Sequence, residues 1–270
     1  MVRILFLGDV VGELGRRAVI SRLPVLKKER EIDFAIVNGE NSAGGRGITP
    51  RITIDFLRAG AAVVTTGDHI WDQPDIIPFI GSEPRLLRPL NYPDGVPGAG
   101  SVVLETAKGA IGVINAQGRT FMRQDLENPF LALRAEVGRI REQTPIIVVD
   151  FHAEATSEKQ AVGRFLDGQV SLVVGTHTHV QTADECIFPG GTAFLCDAGM
   201  CGVTESVIGS EIEAVVEKFV RAMPTRFHLA KGEVELRGLV VEVDENTGRS
   251  MAIERLVERV SLDGGPNGSR

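Results

Sequence analysis

The chain is 270 residues long, 43% hydrophobic and 24% charged, which is ordinary for a globular protein. A chain of this length can bury about 70–75% of its unfolded surface, and one large α/β domain accommodates it. A net charge of −7 excludes a standing grip on a nucleic-acid backbone, which needs clustered Lys and Arg, but leaves room for a small phosphorylated substrate.

From the amino terminus, Arg3–Leu7 is an apolar run closed by Gly8-Asp9, a buried strand feeding a loop. Gly12–Arg30 follows with helical periodicity at Leu14, Ala18, Leu23 and Leu26, and Pro24 is expected to kink or divide it. Phe34–Val37 is a second strand, ending in Asn38-Gly39-Glu40-Asn41 and the Gly-rich Ala43–Gly47. Thr49-Pro50 opens a helix, Thr as cap and Pro at the first helical position, running to about Ala59. Ala61–Thr65 is a third strand, closing in Gly67-Asp68-His69. Arg85–Gly100 is a Pro- and Gly-rich loop, and Ser101–Glu105 and Ile111–Asn115 form a hairpin around Ala107-Lys108-Gly109. Gln117–Pro129 is irregular and Phe130–Arg141 helical. Ile146–Asp150 is a strand leading into His152, and Ser157–Leu166 a helix with Ser157 as its cap. Leu172–Val174 is a strand that enters Gly175-Thr176-His177-Thr178-His179. Short strands follow at Cys186–Phe188 and Ala193–Cys196, then a loop over Asp197–Gly202 and a helix over Glu211–Met223. Glu233–Asp244 and Ser250–Val260 alternate around a Glu245–Gly248 turn, a second hairpin. Residues 1–262 are expected to form one domain, two packed sheets with helices outside, and 263–270 a disordered tail.

The cysteines Cys186, Cys196 and Cys201 are odd in number and lack C-x-x-C spacing, so a reduced compartment is expected rather than a disulfide framework. The first residues lack the longer apolar stretch of a signal peptide, and no run approaches the about 18 apolar residues of a membrane helix. The expectation is a cytoplasmic protein with no membrane partner and no stable nucleic-acid partner, assembling as a homo-oligomer.

Five apolar strands end in metal-competent residues: Asp9; Glu40 and Asn41; Asp68 and His69; His152; His177 and His179. In open α/β sheets, sites form beyond the carboxyl ends of strands. Four of the five histidines fall at such ends, and only His228 does not, which makes it a surface residue. The set exceeds the four ligands of one tetrahedral zinc. It suits two metals sharing a carboxylate, with mixed oxygen and imidazole donors favouring manganese, iron or zinc. Gly45 in the Gly-rich loop and Arg119 are candidate substrate contacts, since Gly backbone approaches a phosphate closely and Arg pairs with it through two bonds.

The stretches GDVVG (8–12), NGENSAGGRGIT (38–49), GDHIWD (67–72), DFHAEATSEK (150–159) and GTHTHVQTADE (175–185) resemble the calcineurin-like metallophosphoesterases, and within them the bacterial YmdB-like branch. The resemblance extends to NAQGRTFM (115–122) and DAGMCG (197–202). It implies a four-layer α/β/β/α sandwich of two mixed sheets. It implies that Asp9, Glu40, Asn41 and His179 surround one metal and that Glu40, Asp68, His152 and His177 surround the other, Glu40 bridging. The two ions, iron or manganese with zinc as an alternative, would hold a bridging hydroxide that attacks phosphorus, and His69 would protonate the leaving oxygen. Phosphate diesters, 2′,3′-cyclic nucleotides first, are the implied substrates. Asp68 departs from the family's Asn and adds a negative charge, so a metal- or nucleotide-binding regulator with little catalysis is the alternative from another class. A metal amidohydrolase also uses His-x-His, but after its first strand rather than this late one.

Overall fold

The computed structural model describes residues 1–262; the tail expected over 263–270 lies outside the described residues. In chain order the elements are β1 (Val2–Leu7), β2 (Asp9–Val10), α1 (Gly12–Glu29), β3 (Phe34–Asn38), α2 (Pro50–Arg58), β4 (Val63–Thr65), α3 (Ile76–Ile80), β5 (Ser101–Thr106) and β6 (Gly109–Gln117). They continue with α4 (Pro129–Arg141), β7 (Ile147–His152), α5 (Thr156–Phe165), β8 (Leu172–Thr176), β9 (Cys186–Ile187), β10 (Ala193–Leu195), β11 (Met200–Val203), α6 (Ile212–Arg221), β12 (Val234–Val243) and β13 (Ser250–Val260).

One sheet has seven strands in the order β2-β11-β12-β1-β3-β4, with β13 on the far side of β12; the other has six, in the order β5-β6-β7-β8-β10-β9. Both are mixed: β1, β3 and β4 are parallel, as are β6, β7, β8 and β10, while β12 runs antiparallel to β1 and β5 to β6. The central parallel strands are apolar runs buried on both faces, the pattern of a sheet covered on each side. One apolar cluster lies between the sheets, where Phe6, Ile36 and Val241 meet Val113, Val148 and Val174. A second packs α1 and α2 on the outer face of the first sheet through Leu23, Leu26 and Phe56. A third packs α4 and α5 on the second sheet through Leu133, Val137 and Val162. The layers are therefore α/β/β/α.

Local signals account for most boundaries. The Thr49 hydroxyl accepts from Ile52 N–H and Pro50 stands at the first position of α2. Asn128 caps α4 in the same way. Four expectations are corrected. Pro24 does not divide α1, which runs unbroken through it. Pro24 lies on the exposed side of the helix, where its ring meets solvent and not the core. Ser157 is not a cap; α5 begins one residue earlier, after Ala155, without a side-chain cap. The Asp197–Gly202 segment is not all loop, because β11 begins at Met200 and is stitched between β2 and β12. Also, β7 extends two residues past Asp150, so His152 lies within the strand, opposite Gln117 and Thr176.

Phe6 is wholly buried between the sheets. Phe6→Ala should lower unfolding free energy by about 3–5 kcal/mol with little change in denaturant sensitivity; urea titration followed by circular dichroism checks this, and a loss below about 1 kcal/mol would refute the packing described.

Candidate metal centre

The strand ends of both sheets converge. Glu40 and Asp68, just past β3 and β4 of one sheet, face His152 and His177, at the ends of β7 and β8 of the other. One ligand atom from each of these four lies within 4.8 Å of the others. His152 Nε2 is 3.1 Å from Asp68 Oδ1 and 3.2 Å from Glu40 Oε1, and His177 Nδ1 is 3.3 Å from Asp68 Oδ1. Asn41 Nδ2 donates to Glu40 Oε1 at 3.0 Å and lies 3.1 Å from His179 Nε2. Asp9 accepts the His177 backbone N–H through Oδ2, while its buried Oδ1 has no partner among the described residues. Of the seven residues expected as ligands, Glu40, Asp68, His152 and His177 form one cluster, and Asn41, His179 and Asp9 adjoin it through these contacts.

Backbone geometry separates the two histidines. His177 and His179 have φ of 100° and 66°, in the left-handed region that non-glycine residues rarely adopt. Strain of this kind costs about 1–3 kcal/mol per residue and persists only where the surroundings hold it. Asp197 does the holding: its carboxylate accepts from Thr178 N–H and Thr178 Oγ1, between the histidines, and pairs with the buried Lys159 ammonium at 2.7 Å. Gly67 is required by close approach, since a Cβ there would stand 2.2 Å from Glu40 Oε2 and 2.3 Å from His152 Nε2.

A second layer orients the ligands. The Thr176 hydroxyl gives its proton to Asp150, so it can only accept from His152 Nδ1, 2.9 Å away. That leaves Nε2 of His152 as the atom turned to Glu40 and Asp68. Glu154 lies 3.1 Å from His177 Nε2 and fixes that ring in the same manner. Burial alone would push the His152 pKa down, but the Glu40 charge and hydrogen bonds to Asp68 and Glu40 hold it well above the ordinary histidine range. Burial raises the carboxyl pKa of Asp9, against the opposing charges of His179 and His152. Burial also works to raise Glu40 and Asp68, yet His152, with His177 beside Asp68, leaves both below the usual carboxylate range. Carboxylates and imidazoles packed this tightly fit a divalent cation, and the Asp9 oxygen beside them has no hydrogen-bond partner among the described residues.

The cluster opens into a cleft of about 1000 Å³. His69 lines it; its Nδ1 is 3.1 Å from Asp72, its Nε2 is 3.9 Å from Asp68, and Arg46 pairs with Asp72 at 2.9 Å. Gly45 lines the cleft, with φ 94°. Arg119 does not: it is exposed outside the cleft, its backbone N–H held by Glu158, and Arg46, Arg123 and Arg226 are the arginines that line the cleft. His228 is exposed, as expected, but on the cleft wall. Asp72, Arg46 and Glu154 were missed as site residues, although all three fall inside the family-like stretches. Cys201 is buried, its thiol pushed up to about 12 by burial, and takes no part.

Two packed mixed sheets, gathering acids and imidazoles at their strand ends beside a cleft, define a hydrolase of the phosphoesterase fold. More narrowly, the chain belongs to the YmdB-like protein family, whose sequence pattern matches residues 5–256. It is 44% identical over 256 residues to the 2′,3′-cyclic-nucleotide 2′-phosphodiesterase of Bacillus subtilis, covering 95% of this chain and 97% of that one. Among solved structures it resembles a hypothetical protein from Thermus thermophilus, with TM-score 0.88, 38% identity and coverage of 95% and 99%. It also resembles a novel phosphatase from Mycoplasma pneumoniae, with TM-score 0.89, 34% identity and coverage of 96% and 93%. No helix among the described residues is long and apolar enough to cross a membrane.

Two outcomes test the site. The raised pKa of His152 stabilises the metal-free fold fully below about pH 6.5, and that contribution is lost as pH rises through the folded value. Glu40 and Asp68, lowered, contribute above about pH 4 and do not change in this window. Thermal melts in chelator should therefore fall from pH 6.5 to 9, by about 1.4 kcal/mol per unit of His152 shift, and Mn²⁺ should raise the alkaline end; rising stability in chelator would contradict the arrangement. Gly67→Ala should keep the circular dichroism spectrum but reduce bound metal at least tenfold by elemental analysis.

Proposed function

We propose that the chain is a dinuclear-metal phosphodiesterase that hydrolyses 2′,3′-cyclic nucleotides. The observation that carries the reading is the Glu40–Asp68–His152–His177 cluster, with Asn41, His179 and Asp9 at its margin, open to a cleft beside His69. The Bacillus subtilis relative bears that activity in its name.

Glu40, Asp68, His152 and His177 would hold one divalent ion, and Asp9, Asn41 and His179, with Glu40 shared, the other. Iron or manganese suits these donors. When bound, the ions would act as Lewis acids on the phosphoryl oxygens and make the attacking water more acidic. The chain's own residues supply the rest. Asp72 lies 3.1 Å and the Arg46 guanidinium 3.4 Å from Nδ1 of His69; they would orient the ring so that Nε2 gives a proton to the departing 2′ oxygen. The Gly45 backbone, free of a side chain, lets the phosphate close on the cluster. Asp68, in place of the family's Asn, adds negative charge beside His152 and His177 and should tighten metal binding.

Turnover of bis-p-nitrophenyl phosphate by Mn²⁺-loaded protein is the first test; no turnover with both metals occupied would leave only the binding-protein alternative. His69→Ala should lower hydrolysis of a 2′,3′-cyclic nucleotide by about 10²–10⁴-fold, with far less effect on the good p-nitrophenolate leaving group; full activity on both would remove His69 from the chemistry. Single replacement of His177 and of His179 should each deplete a different ion by anomalous diffraction, and loss of the same ion would refute the division.

A further inference from the structure

The wall of the cleft opposite the metal cluster has a composition that a single cyclic mononucleotide does not use. It is built from the 121–123 loop, from α6 and from the segment that follows α6. Its lining includes Arg123, Lys218 and Arg226. Among the described residues none of the three enters an ion pair, although the neighbouring Arg46 and Arg221 do. Phe121, Phe219 and Phe227 line the same part of the cleft, Phe121 85% and Phe219 79% exposed. Phe121 holds φ at 64°, a strained conformation for an aromatic residue. Lys218 Nζ rests 4.9 Å over the Phe227 ring. Glu154 is the one carboxylate on the cleft outside the metal cluster.

Cations set among exposed rings make the kind of surface that binds single-stranded nucleic acid, phosphates on the cations and bases on the rings. An apolar protein partner is a poorer match, because the buried centre of a protein interface is depleted in lysine. A cyclic mononucleotide carries one phosphate, and the metal cluster takes it. The three unpaired cations then have no anion to meet unless the substrate continues. The cleft, about 1000 Å³, is at the large end of what a single small molecule fills, about 300–1,000 Å³. RNA cleaved by attack of its own 2′-hydroxyl ends in the group that the cluster would accept.

We infer that the cleft takes the 3′ end of a short single-stranded RNA, its terminal 2′,3′-cyclic phosphate on the metal cluster and its preceding nucleotides on Phe121, Phe219 and Phe227, with their phosphodiesters on Arg123, Lys218 and Arg226. The inference rests on the phosphodiesterase reading of the cluster. In the reaction a water oxygen bonds to phosphorus, the P–O2′ bond breaks, and the 2′ oxygen takes a proton, leaving a 3′-phosphate terminus on an otherwise intact chain. The overall negative charge limits the grip to a few nucleotides, so no long nucleic acid is retained.

Hydrolysis of a uridine trinucleotide ending in a 2′,3′-cyclic phosphate is compared with that of uridine 2′,3′-cyclic phosphate, using Mn²⁺-loaded protein. The expected result is a kcat/KM at least tenfold higher for the trinucleotide, carried by KM. Lys218→Ala combined with Arg226→Ala should abolish that advantage and leave mononucleotide kinetics unchanged; Phe121→Ala should reduce it severalfold. Equal kcat/KM for the two substrates, or equal losses on both in the variants, would overturn the inference while leaving mononucleotide hydrolysis standing. Binding gives a readout independent of turnover: anisotropy of a 5′-fluorescein trinucleotide with a 3′-phosphate should show log Kd against log salt changing by about 0.7 per phosphate held, less in the double variant. Salt-dependent binding without hydrolysis of either cyclic compound would sink the phosphodiesterase reading but keep the RNA-binding wall. If sedimentation velocity showed an oligomer that Phe219→Glu dissolves with trinucleotide binding unchanged, the wall would belong to a second copy of the chain and the inference would fail.

Discussion

The two sheets are tied, directly beneath the metal-competent cluster, through one buried carboxylate. Asp150 on β7 accepts from Asn38 and Thr65, on β3 and β4 of the opposite sheet, and from Thr176 on β8 of its own. Burial pushes its pKa to about 6, while these three hydrogen bonds work to keep it ionised. A carboxylate left without them in this interior would cost several kcal/mol. All three donors reach it only when both sheets hold their strand ends in one relative position. That position also sets Glu40 and Asp68, just past β3 and β4, against His152 and His177. The apolar layer between the sheets supplies the attraction, and Asp150 selects the alignment.

Much of this was legible in the sequence because it is local. Short apolar runs marked the strands, Thr49-Pro50 marked a helix start, and the histidines stood where the runs stopped. Strand ends marked the metal-competent residues, and the structure gathers Glu40, Asp68, His152 and His177 among them into one cluster. What was not legible depends on distant neighbours. Asp150 reads as one more strand-terminal residue until Asn38 and Thr65 arrive from the other sheet. β11 lacks the apolar run that announces a strand and exists because β2 and β12 supply hydrogen bonds on either side. Arg119 has the right chemistry for a phosphate but lies outside the cleft, while Arg46 and Arg123 line it. Glu154 and Asp72 acquire meaning only from the histidine each one contacts.

The cluster is also an electrostatic problem that the fold solves in layers. Three carboxylates, Asp9, Glu40 and Asp68, are buried close together, and like charges so placed repel. In the metal-free chain the imidazoles, His152 foremost, offset that repulsion. A divalent ion would replace protons there, coupling metal affinity to pH. The second layer makes such exchange orderly: Thr176 and Glu154 fix which nitrogen each ring presents, and Asp197 with Lys159 keeps Thr178 between two strained histidines.

The cleft's two walls differ in how they are anchored. The wall that carries Glu40, Asp68, His152 and His177 hangs from buried parallel strands, whereas α6 has Val215 as its one buried residue. Segments with few buried apolar contacts open locally at a small fraction of the global unfolding free energy. The α6 wall can therefore detach and return on its own clock while Asp150 and the strand ends stay fixed. Amide exchange along α6 would run far ahead of exchange in β7 and β8. Motion confined to that outer wall would leave the geometry of Glu40, Asp68, His152 and His177 undisturbed.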